Sequence, residues 1–123
     1  MSKITRFEEL DCWKAARLLT KTVYAVTQSG NIAKDGDACR QFRRASVSIM
    51  NNIAEGFGRF SDKDSIRFLD TAKASGYEVK SMLYLFEDVN YLPAETLTQL
   101  HQEVNNALHL TGGFIRYLQK RSV

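Results

Sequence analysis

Apolar side chains recur at alternating intervals of three and four residues in four segments of the 123-residue chain. This spacing is typical of amphipathic helices that bury a narrow face. It predicts four helices, over about residues 10–29, 37–57, 62–90 and 93–120. Because the intervening loops are short, consecutive helices must run in opposite directions. The pattern therefore predicts one all-α domain over residues 1–123, folded as an antiparallel up-down four-helix bundle.

Composition supports a helical globular protein and excludes several other classes. Hydrophobic residues make up 44% of the chain and charged residues 25%, which is ordinary for a folded domain and excludes a disordered one. Seven Gly and one Pro provide few breakers for the turns of a small β protein. No apolar stretch approaches the roughly 20 residues of a membrane span, and the first residues lack a secretory signal. We therefore expect a cytoplasmic protein with no membrane partner.

The residue types that support catalysis are sparse and badly spaced. The two histidines, His101 and His109, lack the Glu three residues earlier that di-iron helix bundles require. Cys12 and Cys39 are too far apart for a C-x-x-C motif, and no Gly-rich phosphate loop follows a predicted strand. The sequence predicts a non-enzymatic protein with no catalytic residue, no metal and no cofactor. A metal-dependent hydrolase is the third alternative after the two binding functions described below.

Five consecutive apolar residues, Met82–Phe86, lie in the third predicted helix. They exceed one helical turn and so point in every direction around the axis, more than a narrow buried face can cover. Two interpretations are open: a broader core face or an interface between subunits. Several aromatic residues also fall outside the buried stripes. The candidate interface residues are Trp13, Tyr77, Tyr84 and Leu85.

Basic residues concentrate in the first part of the chain. Met1–Ser75 contains thirteen basic and nine acidic residues, whereas Gly76–Val123 contains four and five. Three arginines of the second helix point away from its apolar face, and the guanidinium group matches phosphate oxygens. The alternative is a solvated face with salt bridges. The candidate nucleic-acid contacts are Arg40, Arg43, Arg44, Arg59 and Arg67.

Several stretches of the chain resemble a known bacterial family. They are Phe7–Ala16, Gln41–Ile49, Asn52–Arg59, Phe68–Leu69 and Gly76–Glu78. Together they resemble the "four helix bundle protein" family, whose first members are encoded in intervening sequences of large-subunit ribosomal RNA genes. The family is in turn similar to the accessory variability proteins of diversity-generating retroelements, pentameric barrels that bind RNA and a reverse transcriptase.

This resemblance implies an up-down bundle that forms a homo-pentamer and binds nucleic acid, RNA in particular, without catalysis. It also implies a reverse transcriptase as a further partner. Its motif falls on Arg43, Arg44, Asn52, Glu55, Gly56 and Arg59, of which we interpret Asn52, Glu55 and Gly56 as structural. The family usually has Pro where this chain has Met50.

Two functions follow from these patterns. The first is a non-enzymatic oligomer that binds nucleic acid, RNA in particular, by contacting phosphates through its basic face. The alternative is a protein-interaction scaffold or accessory subunit that does not touch nucleic acid and holds its partner through exposed residues such as Tyr84 and Leu85.

Overall fold

A computed structural model describes residues 3–121. Short 3-10 helices at Phe7–Glu9 and Ile32–Lys34 accompany four α-helices. The α-helices are α1 (Asp11–Val26), α2 (Gly36–Gly56), α3 (Asp62–Asp88) and α4 (Ala94–Arg121). Helix α1 packs on α2 and α4, and α3 packs on the same two helices. With no strand among residues 3–121, the predicted all-α four-helix bundle is confirmed.

The helices begin and end where local hydrogen bonds replace the missing helical ones. Asp35 caps α2 by accepting from the Ala38 backbone N–H at 3.1 Å, and Ser61 caps α3 in the same way. Helix α1 ends at Val26, about three residues earlier than the spacing predicts. The Thr27 hydroxyl donates to the last carbonyls of α1, and Gly30, at φ 77°, then turns the chain away.

A second hydrogen bond joins Asp35, the cap of α2, to the loop between α3 and α4. The Tyr91 hydroxyl, just before α4, donates to Asp35 Oδ2 at 2.7 Å. This bond and the bond from the Ala38 N–H hold the pKa of the Asp35 carboxyl below its ordinary value. The bond to the Asp35 carboxylate also raises the pKa of Tyr91. The connection after α1 and the connection before α4 are therefore joined at one end of the bundle.

The two largest fully buried side chains of the core are phenylalanines from the neighbouring helices α2 and α3. The rings of Phe42 and Phe86 are fully buried and meet edge to face, with their centroids 5.0 Å apart. Large aliphatic side chains from all four helices complete the core along the bundle, among them Leu19, Ile49, Leu69, Val79, Leu83 and Leu100. Each helix therefore contributes its apolar face to a single core.

The apolar run Met82–Phe86 divides between core and surface. Leu83 and Phe86 are fully buried and Met82 packs against the core from its edge. Tyr84 and Leu85 remain 54% exposed. The broader core face thus covers three of the five side chains and leaves two on the surface.

The far end of the bundle is fastened by an ion pair between the first turn of α3 and the last turn of α4. Arg121 donates two hydrogen bonds of 2.9 Å to the two carboxylate oxygens of Asp62. These bonds raise the pKa of Arg121, and such a forked pair is more specific than a single contact.

Within residues 3–121, none of the helices combines the length and apolar character of a membrane-spanning segment.

Candidate nucleic-acid interface

The five candidate arginines form two groups. Arg40, Arg43 and Arg44 lie in the first half of α2, whereas Arg59 follows α2 and Arg67 lies early in α3. With a rise of 1.5 Å per residue, the length of α2 separates the groups by roughly 20 Å. The five arginines therefore lie near the two ends of α2.

In the first group, two arginines form ion pairs at the surface. Arg40 pairs with Asp37 in the preceding turn, and Arg44 pairs with Glu78 of α3. The side chains of Arg40 and Arg44 remain 75% and 61% exposed. Exposed pairs of this kind contribute little to stability, so both guanidinium groups can exchange a carboxylate for another anion.

Arg43 is held differently, because its head lies between α1 and α2. Its Nε donates to Thr27 Oγ1 at 2.8 Å, and its guanidinium carbon lies 4.5 Å from the centroid of the Tyr24 ring. A guanidinium over an aromatic face is attracted by the ring quadrupole. Arg43 therefore joins α1 to α2 and keeps a fixed orientation while it stays partly exposed.

The second group is organised by a single carboxylate. Asp64 Oδ2 lies 3.1 Å from Arg59 Nε, and Asp64 Oδ1 lies 3.3 Å from Arg67 Nη1. The guanidinium of Arg59 also covers the Phe68 ring at 4.7 Å. One acidic side chain thus offsets part of the charge of both arginines, an arrangement that residue counts alone do not reveal.

A further basic surface lies on α1, and the sequence analysis missed it. Lys14, Arg17 and Lys21, here called the α1 basic row, are all exposed. Among the ion pairs formed by residues 3–121, none includes a member of this row. The signal that could have revealed it is the lack of any Asp or Glu from Cys12 to Lys34.

The candidate interface residues fall on two helices. Trp13 of α1 is partly buried, with the Phe7 ring edge-on at 5.2 Å and the Arg17 guanidinium 5.6 Å from its centroid. Tyr77, Tyr84 and Leu85 all remain exposed on α3. The Tyr84 ring lies 5.0 Å from the His101 ring of α4.

Two residues of the motif shared with the resembled family lie at the contact of α2 with α3. Asn52 Nδ2 donates to the Ser48 carbonyl at 2.8 Å and to Ser48 Oγ at 3.1 Å. Ser48 Oγ in turn lies 2.9 Å from Ser75 Oγ on α3. Asn52 therefore orients a hydroxyl pair that links the two helices.

Gly56 allows the end of α2 to approach α3 closely. A Cβ at Gly56 would lie 2.8 Å from Phe68 Cβ and 3.2 Å from the Ser65 carbonyl oxygen. Both distances are shorter than ordinary van der Waals contacts, so only glycine fits without a shift of the neighbouring helix. The adjacent Glu55 is exposed.

One cleft brings together three side chains of types that occur in catalytic sites. Asp11, Cys12 and His109 line a cleft of about 260 Å³ between α1 and α4. Burial raises the pKa of Cys12 to about 11, which disfavours the thiolate that a nucleophile needs. Within the part of the chain that the structure describes, no three His, Cys, Asp or Glu side chains cluster as metal ligands.

Comparisons with known proteins point to one family. The model of a family described as "23S rRNA-intervening sequence protein" matches residues 8–113. A solved protein of unknown function from the S23 ribosomal protein family of Bacteroides thetaiotaomicron has the same fold, with a TM-score of 0.77 and 20% sequence identity. The similarity covers 85% of this chain and 97% of that chain. No curated protein matches the sequence.

Proposed function

Because the chain belongs to the 23S rRNA-intervening sequence protein family, we propose that it is a non-enzymatic, oligomeric RNA-binding protein that contacts phosphates through its basic surface. One observation carries this proposal. The guanidinium groups of Arg40, Arg44 and Arg67 lie 61–75% exposed on α2 and α3. Their planar forks match the oxygens of a phosphate.

The ion pairs of these arginines do not prevent phosphate binding. Each partner, Asp37, Glu78 or Asp64, is itself at or near the surface, so both charges regain water when the pair opens. Exposed pairs of this type contribute at most about 1 kcal/mol. A phosphate that bridges two guanidinium groups can therefore replace the carboxylates, while Arg43 and Arg59 keep positions fixed by Tyr24 and Phe68.

A titration of the protein with a labelled single-stranded RNA over a series of salt concentrations tests the binding. We expect the logarithm of the affinity to fall linearly with the logarithm of salt concentration, by about 0.7 per phosphate contact. A DNA of the same sequence, run in parallel, separates RNA preference from simple phosphate binding. Absent binding at low salt, or binding that ignores salt, would contradict the proposal.

We further propose that subunits associate through α3, as the homo-pentamer implied by the resemblance. Tyr77 and Tyr84 lie two helical turns apart on the same face of α3, and both are more than half exposed together with Leu85. Association would cover this apolar surface. It would also multiply the net charge of +3 per chain by the number of subunits, which strengthens attraction to a polyanion.

Substituting Leu85 by glutamate is expected to dissociate the oligomer, since it places a charge in the apolar contact. Light scattering should give about 70 kDa for a wild-type pentamer, five times the 14.0 kDa of the chain, and about 14 kDa for the variant. Leu18→Glu is the matched control, because Leu18 of α1 is equally exposed, and it should keep the wild-type mass. A wild-type protein that stays monomeric at micromolar concentration contradicts the interface.

The same α3 side chains favour a second function, a scaffold that binds another protein. A reverse transcriptase, suggested by the resemblance, is the partner to test. If purified wild-type protein fails to bind RNA but retains that enzyme after nuclease treatment, the scaffold replaces RNA binding. Retention that is lost on nuclease treatment supports RNA binding instead.

A further inference from the structure

We propose that the α1 basic row, together with Arg43 across the α1–α2 groove, makes the principal phosphate contacts of this protein. This inference rests on the proposed RNA binding and assigns it a surface. The row differs from Arg40, Arg44, Arg59 and Arg67, because none of the ion pairs described for residues 3–121 involves it. Arg43 likewise donates to the Thr27 hydroxyl and not to a carboxylate. Charge distribution, side-chain geometry and neighbouring aromatic rings support the assignment separately.

The charge of the chain is concentrated in one segment. Residues 12–54, which include α1 except its first residue, Asp11, and nearly all of α2, contain seven basic and two acidic residues, whereas the rest contains ten basic and twelve acidic. The segment therefore carries +5 and the remainder −2. Both acidic residues of the segment, Asp35 and Asp37, lie at the start of α2, away from the middle of α1. A phosphate chain is thus attracted to the α1 side of the bundle.

The members of the α1 basic row share one face of the helix. At 100° per residue, Lys14, Arg17 and Lys21 fall within an arc of about 60°, and they span about 10 Å along the axis. A row of this length can follow consecutive phosphates of one strand. Arg40, Arg44, Arg59 and Arg67 must each leave a carboxylate to bind phosphate, whereas no ion pair described for residues 3–121 holds the row back. Phosphates should therefore bind the row, and release their counterions, without first breaking an ion pair of the protein.

Two arginine–aromatic pairs lie at the row or next to it, one formed by its own member Arg17 and the other by Arg43 of α2. The Arg17 guanidinium lies 5.6 Å from the Trp13 ring centroid, and the Arg43 guanidinium lies 4.5 Å from that of Tyr24. Tyr24 is 40% exposed. Guanidinium planes and aromatic rings are the surfaces on which unpaired bases stack. This combination of cations and stacking surfaces fits single-stranded RNA better than a duplex, whose bases are already stacked.

A pair of charge-matched triple variants tests the assignment. The first is K14Q/R17Q/K21Q, and the control is K63Q/R116Q/K120Q. Like the first variant, the control removes two lysines and one arginine, but from exposed positions on α3 and α4. Both variants lower the net charge by three, so a difference between them reports position and not total charge. Circular dichroism and thermal melting check that each variant folds like the wild type.

Affinity for a single-stranded RNA should distinguish the two variants. Three lost phosphate contacts should reduce the salt slope of the first variant by about 2, at roughly 0.7 per contact. If affinities converge at 1 M salt, this change weakens binding about a hundredfold at 0.1 M. The control should stay within about threefold of the wild type. Should the triple variant fold poorly, Lys21→Gln alone is expected to reduce the slope by about 0.7.

The possible outcomes separate this inference from the proposed function. If the wild type binds RNA and K14Q/R17Q/K21Q keeps its affinity and salt slope, the assignment to α1 is overturned and RNA binding stands. If both triple variants lose affinity equally, net charge alone explains binding and the assignment is again overturned. If the wild type does not bind RNA at low salt, the proposed function fails, and the inference fails with it. If K14Q/R17Q/K21Q loses affinity equally for RNA and for DNA, the result supports a surface that binds phosphate backbones in general.

Discussion

Truncation of Phe42 to alanine is expected to destabilise the bundle by about 4 kcal/mol, the middle of the range for a buried phenylalanine. Phe42 has no exposed surface, and its ring meets the equally buried Phe86 ring edge to face at 5.0 Å. The substitution removes this aromatic contact. It also leaves a cavity between α2 and α3, two helices that cannot close the gap without disturbing their other contacts.

Urea denaturation followed by circular dichroism measures the effect, at one fixed protein concentration because association also stabilises folded chains. Phe60→Ala is the matched control. Phe60 lies in the α2–α3 loop and is fully exposed, so its truncation should change the free energy of unfolding by less than about 0.5 kcal/mol. A loss below about 1.5 kcal/mol for Phe42→Ala would show that the ring does not occupy the packed centre.

Replacing Gly56 by alanine is expected to cost about 2 kcal/mol, although alanine is the better helix former by about 1 kcal/mol. The added Cβ would approach Phe68 Cβ to 2.8 Å and the Ser65 carbonyl oxygen to 3.2 Å. Neither atom is the free end of a flexible side chain, so α2 and α3 must separate. Denaturant unfolding should therefore show a lower midpoint than the wild type.

Gly76→Ala provides the comparison for this result. Its Cβ would come as close, 2.7 Å, but to Leu108 Cδ2, the end of a side chain that can change rotamer. Moving the Leu108 side chain to relieve the clash costs free energy, whereas alanine gains helix propensity. We expect this cost and this gain to offset each other to within about 1 kcal/mol. If Gly76→Ala proved more destabilising than Gly56→Ala, the close approach of α2 to α3 would not explain the glycine at position 56.

The spacing of apolar residues predicts the four helices because one buried face per helix is a local property. It predicts the detailed core less well, as α3 and α4 show. A narrow stripe favours Phe68 and Phe114, yet Leu69 and Ile115 are the buried residues and the two phenylalanines are only partly buried. Each helix packs against two neighbours, so its buried arc is wide. Which residue lies at the centre of that arc depends on the packing of distant segments.

The candidate site shows the same division between local and distant information. That Arg40 and Arg44 point outward follows from helical periodicity. That Arg44 meets Glu78, 34 residues later, depends on how α2 packs against α3. The α1 basic row was accessible from sequence in principle, since residues 12–34 contain no Asp or Glu. Arginine clusters and total charge do not reveal it, because an unopposed cation is defined by the acidic neighbours that it lacks.

The contacts of Arg17 with Trp13 and of Arg43 with Tyr24 and Thr27 also bear on the entropy of binding. Ordering a free, long side chain at an interface costs roughly 0.5–1.5 kcal/mol. In this bundle the two guanidinium groups already rest on rings that are held by helix α1. Much of that loss of freedom therefore occurs when the chain folds, before any ligand arrives. A surface preorganised in this way favours a longer-lived complex, and its advantage would appear mainly as slower dissociation.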